Sequence, residues 1–104
     1  MGHLIYGDTE HAIDDRTLAH VRAVVGSKLR RGESFMLSWP GHGSHGSVAL
    51  WLSPTTPLQL RFAGSREPGL SEAWLEAMLE MAGSTGGLVL VAEDVAVERF
   101  RRTR

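Results

Sequence analysis

The stretch ESFMLSWPGHGSHGSVALWLSPTTPLQLRF, residues 33–62, decides the fold class. Phe35, Leu37 and Trp39 alternate with Ser34, Met36 and Ser38, so one face of an extended segment is apolar and the other mixed. Val48, Leu50 and Leu52 repeat the pattern against Ala49 and Trp51, and Leu58, Leu60 and Phe62 repeat it against Gln59 and Arg61. The breaks are PGHGSHG and SPTTP, both rich in residues that turn the chain. Three strands joined by short polar links predict an antiparallel meander with one apolar face.

Helical periodicity flanks this region on both sides. Before it, Leu18, Val21, Val25 and Leu29 recur at spacings of three and four, with Asp14 or Asp15 as the cap that opens the helix. Gly32 is placed to close it. After it, Ser71 caps a second helix with Trp74, Leu75, Met78, Leu79 and Ala82 as its apolar stripe, and Leu70 and Leu75 as a hydrophobic staple. Glu72, Glu76 and Glu80 fall on the outer face, and Gly83 ends the helix. HLIYG and EHAID predict an N-terminal hairpin, and LVLVA, residues 88–92, a strand buried on both sides. The tail 93–104 reads as a turn or two of helix or a frayed basic end. The expected order is ββαβββαβ with a short C-terminal helical tail: an α+β domain spanning residues 1–104, with a mainly antiparallel sheet packed against two helices.

Composition removes whole classes of function. Eleven basic and twelve acidic residues in 104 give a net charge of −1, so attraction to nucleic acid or an anionic membrane has to be local. No cysteine means no disulfide, thiol nucleophile or thiolate metal site, which fits a cytoplasmic protein. The N-terminus lacks a basic segment followed by an apolar one, and no run reaches the length of a membrane span. Serine is absent from the centre of any Gly-x-Ser-x-Gly elbow, and the glycines at 83–87 make neither a dinucleotide fingerprint nor a P-loop. His42 and His45 stand three apart but lack further ligands and a rigid support. No enzyme, metal or cofactor is expected.

Two surfaces remain as candidates. Lys28, Arg30 and Arg31 crowd one helix end, Arg16 and His20 are expected along the same outer face, and Arg99, Arg101, Arg102 and Arg104 form a second basic group. Cations before a closing glycine are what a helix dipole favours, so phosphate contact competes here with a plain structural role. The reverse sheet face would show Met36, Trp51, Gln59 and Arg61, where an aromatic beside an arginine suits base stacking or a contact with a second copy. The expected function is a small non-catalytic binding module, nucleic-acid-associated through Arg16, Lys28, Arg30, Arg31, Arg99, Arg101 and Arg102. The alternative is a homodimer joined through Met36, Trp51 and Arg61.

The segments GHLIYG (2–7), DDRTLAH (14–20), KLRRGESFMLSW (28–39), LWLSPTTPLQLRFAGSR (50–66) and WLEAMLEMAGSTGGLVLV (74–91) resemble, in order, a family of uncharacterised actinobacterial proteins of about one hundred residues, especially from Microbacteriaceae. Some members of that family carry the label "ATP-dependent DNA ligase". Such ligases form their adenylate on the lysine of Lys-x-Asp-Gly, whereas Lys28, the only lysine here, is followed by Leu29, Arg30 and Arg31. The resemblance therefore transfers no catalytic residue.

Overall fold

The computed structural model describes residues 1–41, 46–66 and 68–102. The chain runs β1 (Gly2–Tyr6), β2 (Thr9–Ile13), α1 (Asp15–Arg30), β3 (Phe35–Trp39), β4 (Val48–Leu52), β5 (Leu58–Arg61), α2 (Glu72–Ala82), β6 (Leu88–Val89) and α3 (Glu93–Arg102). It is an α+β fold of mostly antiparallel strands. The tail forms a helix that packs on α2.

The three expected strands do not make one meander. Two three-stranded sheets form instead, ordered β2-β1-β5 and β4-β3-β6. β3 and β4 pair as expected, with Met36 opposite Trp51 and Leu37 opposite Leu50. β5 leaves them and lies antiparallel to β1, with Leu60 opposite Leu4. The link explains the departure. Pro54 and Pro57 have no N–H to offer a hairpin ladder, and the Pro57 carbonyl accepts instead from Gly7 N–H at 3.0 Å. That bond delivers β5 to the free edge of β1. β6 lies parallel to β3, which α2 makes possible by carrying the chain back across the sheet. Here Gly87 is required, since its φ is +73° and a Cβ on it would stand 2.5 Å from the Met36 carbonyl.

Both sheets and the helices share one apolar cluster that includes Leu4, Leu18, Val21, Val24, Phe35, Leu37, Leu52, Trp74, Met78 and Leu88. α1 packs on β1 and α2, and α2 also packs on β3, β6 and α3. The inner face of β3 and β4 is as the alternation predicts: Phe35, Leu37 and Leu52 are buried. β6 is less enclosed than a strand buried on both sides, with Leu88 and Leu90 buried and Val89 only half-buried. On α2 the buried stripe is Trp74, Ala77, Met78 and Ala82, while Leu79 is exposed. Leu70, 52% exposed, does not close a staple.

Candidate interaction surface

The C-terminal end of α1 is built as a helix ending. The Glu33 N–H reaches back to the Lys28 carbonyl at 3.0 Å and the Gly32 N–H to the Leu29 carbonyl at 2.9 Å, a Schellman closure with Gly32 at φ +72°. The cations around it are then claimed by one carboxylate. Glu33 pairs with Lys28 at 3.2 Å and with Arg31 at 3.6 Å, and Arg31 Nε also donates to the Ser27 carbonyl. Arg30 alone of the three points away, exposed beside Arg22, Pro68 and Leu70.

The remaining basic candidates are spread over α1, β5 and α3. Arg16 is a tie between elements: its guanidinium grips both carboxylate oxygens of Glu93 at the start of α3, donates to the Gly69 carbonyl at 2.8 Å, and lies over the Trp74 ring. His20, expected on the outer face, is 0% exposed, because its position on α1 faces the start of α2 rather than solvent. Arg61 sits on β5 in the other sheet and pairs with Glu10. Arg102 pairs with Glu98 one turn earlier on α3, whereas Arg99 and Arg101 are exposed and make no ion pair among the described residues. α2, packed against both α1 and α3, exposes Glu72, Glu76 and Glu80.

Met36 and Trp51 do come together. They are cross-strand partners on the outer face of β3 and β4, and Trp51 is 58% exposed. Next to them opens a hollow of about 390 Å³ walled by Lys28, Glu33, Ser34 and the 83–87 turn. Arg61 does not share this face, since β5 belongs to the other sheet. The outer edge of β4 is partly closed: the Tyr6 hydroxyl donates to the Trp51 carbonyl at 2.6 Å and accepts from the Ser53 N–H at 3.0 Å. One phenol thus stands in for a rung of a β ladder and stitches the two sheets together. His11 and Trp39, whose rings meet edge to face at 5.3 Å, make a second stitch.

Three residues important to this arrangement had no distinctive signal in the sequence. Tyr6 looks like an ordinary strand residue. Asp15, one of two possible caps, leaves that role to Asp14, which accepts from the Thr17 N–H at 3.0 Å. Its own carboxylate instead accepts from the N–H groups of Gly64 (2.8 Å) and Ala63 (3.1 Å), and these bonds hold its pKa below the usual value of 3.8. His20 joins α1 to α2. Its Nε2 accepts from the Ser71 N–H at 2.9 Å, which fixes the proton on Nδ1, and that N–H donates to the Arg16 carbonyl at 2.7 Å. The ring also lies against Trp74 at 4.3 Å.

Among the described residues no group of three His, Asp or Glu side chains converges as a metal site, and no helix is long and apolar enough to cross a membrane. His42 and His45 lie outside the described residues. Comparison with curated proteins and with solved structures finds no match. Residues 1–93 match the family model described as a domain of unknown function, DUF7882, and the chain belongs to that family.

Proposed function

We propose that this domain is a cytoplasmic, non-catalytic binding module that works by self-association through the outer face of β3 and β4. The observation that carries the reading is Trp51, more than half exposed beside Met36 on a regular strand pair. A tryptophan left in water forgoes a large part of the roughly 150–250 Å² it can bury, and such residues are enriched where proteins meet. The surroundings favour a second copy as the occupant. Lys28 and Glu33, opposite in sign, border the same hollow. A two-fold axis near Trp51 would place the lysine of each copy against the glutamate of the other. The partner approaches the face and not the strand edge, because Tyr6 already occupies part of that edge.

Sedimentation of the wild type against Trp51→Glu tests this. The wild type should pass from monomer to dimer with rising concentration. The variant should stay monomeric with an unchanged circular dichroism spectrum, since Trp51 is outside the buried cluster. A wild-type monomer at about 1 mM, a concentration at which even weak association is populated, sinks the reading.

Support for phosphate contact is thinner. Of the candidate cations among the described residues, Arg30, Arg99 and Arg101 are exposed with no ion pair, while Arg16, Lys28, Arg31, Arg61 and Arg102 each have an acidic partner. The ligase label borne by some similar actinobacterial proteins adds nothing chemical, because Lys28 lacks the sequence around it that adenylation needs. Retardation of DNA or RNA at about 50 mM salt, weakened by Arg99→Gln with Arg101→Gln, would revive this reading; none at that salt closes it.

A further inference from the structure

A second concavity, on the far side of the 83–87 turn from Met36, lies between α2, β6 and α3 and encloses about 410 Å³. That is within the range of about 300–1,000 Å³ typical of small-molecule sites. Ala77 and Ala96, both buried, face each other across the two helices and leave the space, which Met81 and Phe100 line with soft apolar surface. Arg99 and Phe100 lie beyond residue 93, where the family match ends.

The polar groups at this groove are few and incompletely used. Leu90 N–H donates to the Ser38 carbonyl, so the alternation of β6 turns the Val89 N–H away from β3 and toward α2. Its acceptor there is the Met81 thioether sulfur at 3.1 Å, a weak acceptor on a side chain with freely rotating bonds. Arg99 lines the same groove, is exposed, and has no hydrogen-bond or ion-pair partner among the described residues. Glu80 stands on the groove as well, yet the two do not pair.

We infer that this groove binds a small amphipathic monocarboxylate, with its apolar body between Met81 and Phe100 and its carboxylate on Arg99. The carboxylate supplies the anion that Arg99 lacks and a better acceptor than sulfur for any donor it can reach. Glu80 sets the limit of one negative charge, since a second carboxylate on the ligand would face it. The body must be apolar because the other polar side chain of the lining, Ser84, already donates its hydroxyl proton to the Met81 carbonyl at 2.6 Å, and the rest of the lining is apolar side chain or glycine.

The test is a titration of ¹⁵N-labelled protein with 3-phenylpropionate and, separately, with its neutral amide, read by amide chemical shifts. The acid should give saturable shifts at Gly86, Gly87, Val89 and Ala96 and bind about tenfold more tightly than the amide. Arg99→Gln should remove that preference. Arg101→Gln, which makes the same charge change on the same helix but does not line the groove, should keep it. Four results would overturn the inference: no saturation by about 10 mM acid, equal binding of acid and amide, equal loss in both variants, or shifts at these amides on dilution without ligand. The last would mean that another copy occupies the groove.

Discussion

The two ends of α1 are both crowded with charge, and they do opposite things. At the C-terminal end Lys28 and Arg31 are answered by Glu33, five and two residues away, and the helix closes on its own backbone. At the N-terminal end Asp15 reaches Ala63 and Gly64, Arg16 reaches Gly69 and Glu93, and His20 reaches Ser71. One end is settled locally; the other assembles the tertiary structure. A dense cluster of like charge draws the eye in a sequence, but single polar residues spaced along the first turns of a helix hold the distant segments here. Substitutions in the N-terminal half of α1 should therefore cost more than substitutions at its C-terminal end.

The largest effect belongs to His20. Replacing it with alanine leaves the Ser71 N–H without its acceptor at the start of α2 and opens a cavity against Trp74. The two costs together should reach about 3 kcal/mol, a large share of the stability of a domain this size. Urea denaturation should show the midpoint fall with little change in slope. A loss under about 1 kcal/mol would mean that the two ends of α1 are not so different.

Arg16→Met comes next. It removes a paired, solvent-accessible guanidinium and a hydrogen bond to a carbonyl, together worth about 1 kcal/mol because water screens much of the charge interaction. The effect should be local as well as global. Hydrogen exchange should quicken in α3, whose first turn loses its anchor at Glu93, more than in β3.

Asp15 gives a test through pH. Its carboxylate is stabilised in the folded state by the Gly64 and Ala63 N–H groups, so its folded pKa is below its unfolded one. Stability from this source is fully present above the unfolded value near 3.8 and is lost as pH falls through the lower folded value. Asp15→Asn should thus be less stable than the wild type at neutral pH. The gap between them should narrow as the pH drops below 3.8, and a gap that stays constant would remove the carboxylate's charge from the account.

What the sequence revealed and what it hid divide along the same line. A cap at Asp14 or Asp15, the Ser71 cap, the Gly32 closure and the inner faces of β3 and β4 were readable, because each depends on neighbours within a few residues. The partner of β5 was not, because Leu58 and Leu60 suit an edge of β4 as well as one of β1; the choice falls to two prolines and to Gly7, fifty residues earlier. The burial of His20 was hidden for a similar reason, since its acceptor nitrogen meets a backbone 51 residues away. Of the candidate surface, the shared outer face of Met36 and Trp51 was legible from alternation, and their direct cross-strand pairing came with the register. The separation of Arg61 from them was not, since it followed β5 into the other sheet.

The smallest effect is expected where the sequence looked most eventful. Replacing Arg30 and Arg31 together with glutamine leaves the Gly32 closure intact, because that closure is made by backbone groups. Arg30 gives up only its attraction to the helix dipole. Arg31 gives up an exposed pair with Glu33, which Lys28 still holds. Each contribution is a few tenths of a kcal/mol, so the double variant should lose about 1 kcal/mol at most, and less as salt is added. Thermal melts at low and high ionic strength would check both the size and its screening. A loss comparable to that of His20→Ala, or one insensitive to salt, would mean that this end of α1 also holds the tertiary structure, and the contrast between the two ends would fail.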